Sequence, residues 1–184
     1  MKKKMGIIFF LLALAAGAAI GYIIGFDIGF EKAVQKRIAN FEECAAAGYP
    51  VMESYPEQCR TPDGKTFTRD IGNELEFSDE IIVGNPRPNQ VINNPLSVSG
   101  QARGIWYFEA NFPVELFDEH NKSLGVTYAA AQGEWMTGEF VAFTAELSYA
   151  VPSTRKGKLV IRNANPSGLP EQGKELVIPV IFEE

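Results

Sequence analysis

Residues 106–116 have the sequence Trp-Tyr-Phe-Glu-Ala-Asn-Phe-Pro-Val-Glu-Leu, in which every second position is apolar. The positions between them include Glu109, Asn111 and Glu115. Because successive side chains of a β-strand point to opposite faces, this alternation predicts a strand with one face in a core and the other in water. The expected inward side chains are those of Trp106, Phe108, Ala110, Phe112, Val114 and Leu116.

The same alternation recurs on both sides of this stretch, between residues 81 and 184. Turn-forming segments at 118–121, 132–133, 155–157 and 165–168 separate the runs, and no helical periodicity lies between them. About seven short strands without helices predict an antiparallel β-sandwich. Its further apolar positions are Leu96, Val98, Ala102, Val141, Phe143, Ala145, Leu147, Tyr149, Leu159, Ile161, Leu176, Ile178, Val180 and Phe182.

Several motifs in this region resemble a known family. They are Pro86-Arg-Pro-Asn-Gln-Val-Ile-Asn-Asn-Pro-Leu96, Val98-Ser-Gly-Gln-Ala102, the stretch from Trp106 to Val114, Trp135-Met-Thr137 and Asn165-Pro-Ser-Gly168. Their order and spacing are similar to those of the immunoglobulin-like domain of bacterial spore germination proteins. The resemblance implies a mainly β, immunoglobulin-like module outside the bacterial cytoplasm, often attached to a membrane anchor or a second envelope domain. Particular members of the family have a role in germination. It implies no catalytic residue.

The N-terminus has the pattern of a membrane anchor. Lys2, Lys3 and Lys4 form a basic tip at residues 1–5, and no charged residue follows until Asp27. As a helix, the apolar stretch 6–26 would span roughly 31 Å, which matches a hydrocarbon core of about 30 Å. The positive flank predicts a cytoplasmic N-terminus and an extracytoplasmic C-terminal domain in a single-pass protein of the cell membrane. The alternative is a cleaved signal peptide and a secreted product.

Two features of this region bear on helix packing. Gly17, Gly21, Gly25 and Gly29 recur every fourth residue, so a helix would place them in one stripe where a second helix can approach closely. This predicts self-association or pairing with another membrane protein. Residues 27–43 keep apolar positions at helical spacing and predict an amphipathic helical stalk.

The chain contains two cysteines, Cys44 and Cys59, in a small segment over residues 44–72 that the topology places outside the cytoplasm. Oxidation is permitted there, so an even count without a leftover thiol predicts a structural disulfide. Asp63-Gly64 before Thr66, Phe67 and Thr68 predicts a tight turn leading into a strand. The acidic residues 73–80 are interpreted as a linker to the sandwich at 81–184.

Residues 55–67 also bear a weak resemblance to the heart of Kazal-type protease inhibitors, carried by Tyr55-Pro56, Cys59, Asp63-Gly64 and Thr66-Phe67. That family is held together by six cysteines, whereas this chain has two. Protease inhibition by residues 44–68 is therefore kept as an alternative function.

Composition and charge exclude several classes of function. The 184 residues carry a formal net charge of −6, which argues against a nucleic-acid ligand because phosphate binding needs a basic face. His120 is the only histidine and lies in a polar turn, where a catalytic base is not expected. One histidine and two cysteines are also too few ligands for most zinc centres. Asp79/Glu80 and Asp118/Glu119 could ligate calcium, although adjacent acids usually solvate a turn. We expect neither a cofactor nor a metal.

The remaining candidate site is an aromatic patch. Trp135 and Met136 lie in a predicted loop, and Phe117 and Phe140 fall on the outward faces of their strands. Exposed large apolar side chains can mark a partner site, whereas a loop that folds over the open end of the sandwich would bury Trp135. The sequence thus predicts a membrane-anchored, non-catalytic envelope protein whose immunoglobulin-like domain binds or scaffolds another envelope protein or cell-wall material.

Overall fold

The computed structural model describes residues 37–183, which form a small disulfide-closed unit followed by a β-sandwich. Helix α1 (Phe41–Ala46) precedes strands β1 (Val51–Met52), β2 (Gln58–Arg60) and β3 (Thr66–Thr68). The sandwich contains β4 (Ile81–Asn85), β5 (Gln90–Ile92), β6 (Leu96–Arg103), β7 (Asn111–Asp118), β8 (Ser123–Ala131), β9 (Phe140–Leu147), β10 (Lys156–Arg162) and β11 (Glu175–Phe182). Short 3-10 helices cover Glu74–Phe77, Gly104–Trp106 and Pro170–Gln172.

The small unit is built around a disulfide. The Asn40 side chain caps α1 by accepting a hydrogen bond from the backbone N–H of Glu43 at 2.8 Å. The helix buries Phe41 and Cys44 on one face, against the antiparallel sheet β1-β2-β3. The predicted bond joins Cys44 to Cys59. The predicted turn at Gly64, where φ is +86°, connects β2 to β3.

The predicted helical stalk lies partly within the described residues. Residues 37–39 are not helical, and α1 begins at Phe41. The predicted basic tip at 1–5, the apolar span 6–26 and the rest of the stalk up to residue 36 lie outside the described residues. Within residues 37–183, no helix is long and apolar enough to cross a membrane.

The sandwich is one curled sheet with the strand order β4-β6-β9-β8-β7-β10-β11-β5. Strands β8 and β9 pair only through Ala130 with Thr144 and Ala131 with Phe143, so the sheet bends there into two layers. One layer is β4-β6-β9 and the other is β8-β7-β10-β11-β5, which is the arrangement of an immunoglobulin-like sandwich. The predicted mainly β class is therefore confirmed.

The alternation predicted from residues 106–116 is confirmed for the second half of that stretch. Phe112, Val114 and Leu116 on β7 are fully buried and face the core. The prediction is wrong for Phe108, which is 45% exposed. The strand begins only at Asn111, because the chain first makes a 3-10 turn and then adopts positive φ values at Glu109 and Ala110.

The strand count also differs from the prediction of about seven antiparallel strands. The described part of the sandwich has eight, and β5 pairs with β11 in parallel. Strand β4 pairs with β6 in one layer, and a short connection over residues 86–89 then carries the chain to the other layer as β5. Periodicity could not resolve β5, because three residues are too few to show an alternation.

Residues 73–80, interpreted as a linker, pack on the sandwich. The Asn73 side chain donates to the Glu175 carbonyl at 2.9 Å and accepts from the Val177 N–H at 2.7 Å. Gly72 precedes it with φ +70°, and a Cβ there would lie 1.9 Å from the Val177 carbonyl oxygen. This backbone approach requires glycine and fixes where the small unit joins the sandwich.

Candidate functional site

Three loops meet at one end of the sandwich. They connect β6 to β7 (residues 104–110), β8 to β9 (132–139) and β10 to β11 (163–174). The end pairs Arg103↔Phe140, Asn111↔Ala130 and Arg162↔Glu175 are connected by the pairing of β8 with β9 and of β7 with β10, which places the strand ends that bear these loops on the same side of the molecule. We call this surface the three-loop end.

Backbone hydrogen bonds join the three loops. Gly104 donates its N–H to the Thr137 carbonyl at 3.1 Å, and Ala164 donates its N–H to the Trp106 carbonyl at 2.9 Å. A Cβ on Gly104 would lie 2.4 Å from the Thr137 carbonyl oxygen and 2.6 Å from that of Trp135. The first loop is therefore packed directly against the second and bonded to the third.

Trp106 anchors the three-loop end to the core. Its indole is fully buried, makes edge contacts with Phe77 at 5.7 Å and Phe112 at 6.2 Å, and donates Nε1–H to Glu80 at 3.2 Å. The same carboxylate pairs with the Lys174 ammonium at 2.6 Å. These contacts connect the first loop, the segment before β4 and the end of the third loop.

Tyr107 is a second buried anchor. Its hydroxyl donates to the Val141 carbonyl at 2.9 Å, and burial raises the pKa of Tyr107 to about 12. Its ring lies 5.1 Å from that of Phe112 and 6.5 Å from that of Trp135. The hydroxyl is thus a neutral hydrogen-bond donor at physiological pH rather than a reactive group.

Each of the three loops nevertheless presents large apolar side chains to solvent. Ile105 and Phe108 in the first loop are 58% and 45% exposed, Met136 in the second is 73% exposed, and Leu169 in the third is 45% exposed. Single exposed apolar residues are ordinary, but four on mutually bonded loops indicate a candidate contact surface.

Acidic side chains lie on the same three loops as these apolar groups. Glu109, Glu134, Glu139 and Glu171 are all exposed, and no ion pair involves them among residues 37–183. The one basic residue in the loops, Lys174, is held by Glu80. The nearby Arg103 guanidinium donates to the carbonyls of Asp79 and Gly138 and lies 4.4 Å from the centre of the Phe140 ring.

The four residues of the predicted aromatic patch do not form one surface. Trp135 packs partly buried on the core, whereas Met136 beside it is exposed. Phe140 begins β9 at the three-loop end, where the Arg103 guanidinium covers it. Phe117 lies at the opposite end of β7, next to the charged groups of Lys158 at 5.8 Å and Arg162 at 5.9 Å.

Ile105, Phe108 and Leu169 complete the exposed surface and were not predicted. A local signal exists for the first two, because Gly104 separates β6 from the apolar run at 105–108 and marks the start of a loop. No signal in the sequence places the Leu169 loop beside the other two. That proximity depends on the pairing of β10 with β7.

One acid of each pair considered for calcium has other partners. Asp118 accepts hydrogen bonds from the N–H groups of His120 and Lys122 and from the Ser153 hydroxyl, which lower the pKa of its carboxyl group. Glu80 binds Trp106 and Lys174. Within residues 37–183, no three His, Cys, Asp or Glu side chains come together as a metal site. The glycines at 17, 21, 25 and 29 lie outside the described residues.

The strand arrangement and the comparison with known families both indicate an immunoglobulin-like domain. The layers β4-β6-β9 and β8-β7-β10-β11-β5 define an immunoglobulin-like sandwich. Residues 80–168 match the family model of the immunoglobulin-like domain of bacterial spore germination, which confirms the resemblance seen in the sequence. The sandwich extends beyond the match, since β11 pairs with β10 along its length. No curated protein matches the chain.

Proposed function

We propose that this chain is a membrane-anchored, non-catalytic protein of the bacterial cell envelope whose immunoglobulin-like domain binds or scaffolds another envelope component. The observation that carries the proposal is the match of residues 80–168 to the immunoglobulin-like domain of bacterial spore germination. A role in germination follows as part of the same proposal.

Three further observations support it. The apolar stretch 6–26 behind three lysines has the length and charge asymmetry of a single-pass anchor. The Cys44–Cys59 disulfide suits an oxidising compartment outside the cytoplasm. The three-loop end offers exposed apolar side chains on a hydrogen-bonded frame, as a binding surface requires.

The anchor is tested by fractionation of bacteria that express the full chain. We expect the uncleaved protein in the membrane fraction, with its sandwich open to protease added outside the cytoplasmic membrane. Intact mass distinguishes the secreted alternative, because a mature chain that starts near Ala18 in the culture fluid would contradict anchoring.

The binding role is tested by photo-crosslinking in intact cells. A photoreactive residue is placed at Met136 or, on the opposite end of the sandwich, at Val151, which is 87% exposed. We expect a discrete crosslinked product with an envelope component from at least one position. Absence of products from both positions, or hydrolysis of peptide or glycan by the purified chain at ordinary enzyme rates, would contradict the proposal.

A further inference from the structure

The apolar side chains of the three-loop end are presented by rigid neighbours. Ile105 follows Gly104, whose N–H is bonded to Thr137, and precedes the fully buried Trp106. Met136 lies between Trp135, which packs on Tyr107, and the same Thr137. Binding of a ligand to these side chains therefore loses little conformational entropy of the loops, which favours affinity.

The electrostatic character of the three-loop end is acidic. Its loops contain four glutamates and one lysine, and that lysine is paired with Glu80. The glutamates Glu109, Glu134, Glu139 and Glu171 are exposed and distributed over all three loops, so the loops that bear the apolar side chains carry more negative than positive charge even with the Arg103 guanidinium beside them. Complementary charges steer a partner and suppress partners of like sign.

We infer that the three-loop end docks a cationic polypeptide segment with exposed apolar side chains, supplied by another protein. The apolar groups would cover Ile105, Phe108 and Met136, and lysine or arginine side chains would meet the glutamates on the same loops. An anionic lipid headgroup surface is a poor ligand, because the glutamates repel it. This inference deepens the proposed binding function and rests on it.

The test uses the purified full chain in detergent and three synthetic peptides with the same leucine and tryptophan positions. The peptides carry four lysines, four glutamines or four glutamates at the remaining positions, and binding is measured by fluorescence anisotropy. We expect the lysine peptide to bind about tenfold more tightly than the glutamine peptide. A few exposed charge pairs together change an affinity by about that factor. The glutamate peptide should bind more weakly still.

Two pairs of variants locate the binding. Replacement of four glutamates by Gln should weaken the binding of the lysine peptide about tenfold. The four are Glu109, Glu134, Glu139 and Glu171. The matched control replaces the exposed Glu53, Glu119, Glu146 and Glu183 by Gln, which changes the net charge equally at other places. The double variant Ile105→Ser/Met136→Ser should weaken binding several-fold, whereas Val151→Ser should not.

Three results would overturn the inference. The first is equal binding of the three peptides, and the second is an equal effect of the two sets of Glu→Gln changes, which would indicate net charge alone. The third is that the Ile105→Ser/Met136→Ser variant binds the lysine peptide as tightly as the unaltered protein does. If these occur while photo-crosslinking from Val151 still identifies an envelope partner, the binding function stands and only the three-loop end is excluded.

Discussion

The indole N–H of Trp106 donates to the Glu80 carboxylate at 3.2 Å, across the junction between the segment before β4 and the first loop of the three-loop end. The ring is fully buried while the carboxylate reaches the surface, where Lys174 pairs with it. This hydrogen bond therefore connects the start of the sandwich at Glu80 to the loop that contains Ile105.

Replacement of Trp106 should destabilise the sandwich strongly. Trp106→Ala removes a fully buried indole, and we expect a loss of about 3–5 kcal/mol in the free energy of unfolding. Glu80→Gln is the matched comparison: it keeps an acceptor for the indole and loses a partly exposed ion pair, so about 0–1 kcal/mol is expected. Urea unfolding of the full chain in detergent measures both. A larger loss for Glu80→Gln than for Trp106→Ala would contradict the burial argument.

Two glycines of the sandwich should differ in their tolerance of alanine. A Cβ on Gly100 of β6 would lie 2.2 Å from the Ile82 carbonyl oxygen and 2.8 Å from the Phe143 ring, whereas nothing lies within 4 Å of a Cβ on Gly138. We expect Gly100→Ala to cost about 1–3 kcal/mol through overpacking, and Gly138→Ala to be close to neutral. Thermal unfolding of both variants checks the prediction. Equal midpoints would show that β4 and β6 can separate without cost.

The Asp118 carboxylate should contribute to stability in a pH-dependent manner. The Lys122 N–H, the Ser153 hydroxyl and the His120 N–H hold the pKa of this carboxyl below its ordinary value of 3.8. The unfolded chain therefore binds the proton more readily, so the stabilisation is fully present above about pH 4 and is lost as the pH falls through the folded-state pKa.

Asp118→Asn tests this relationship. We expect a lower urea midpoint than in the unaltered protein at pH 7. The difference should shrink as the pH is lowered below about 4, because the unfolded chain then binds a proton that the folded carboxylate binds less readily. Glu119→Gln alters the exposed neighbouring acid and serves as the control. A difference that grows as the pH falls would contradict the assigned direction of the pKa shift.

Reduction of the disulfide should affect the small unit and leave the sandwich folded. The bond closes a loop with a sequence separation of 15, and loss of a crosslink of that size costs about 3 kcal/mol in the chain-entropy model. Phe41, Cys44 and Cys59 form a core of their own, separate from the core around Trp106 and Phe112. Hydrogen exchange should therefore accelerate in residues 41–68 on reduction while β6 and β10 stay protected.

The control for this experiment is Cys44→Ser/Cys59→Ser, which should show the same exchange pattern without reductant. Simultaneous loss of protection in the small unit and in β10 would contradict the independence of the two cores. It would instead indicate that the contacts of Asn73 with Glu175 and Val177 couple their unfolding.

The sequence predicted those features that depend on neighbouring residues. Alternating apolar positions identified the buried face of β7 at Phe112, Val114 and Leu116, and the cysteine pair and the Asp63-Gly64 turn identified the small unit. Periodicity failed at Phe108, where a 3-10 turn and positive φ values replace the strand. It also failed at β5, which is too short to show a pattern.

The β-sandwich, the paired cysteines and the likeness to the germination family were thus predictable from the amino-acid sequence, because local alternation, residue type and motif order are all readable along the chain. That Ile105, Phe108, Met136 and Leu169 share one end with exposed glutamates became visible only in the folded chain. Those residues lie on three loops, and their proximity follows from long-range strand order and register rather than from any local pattern.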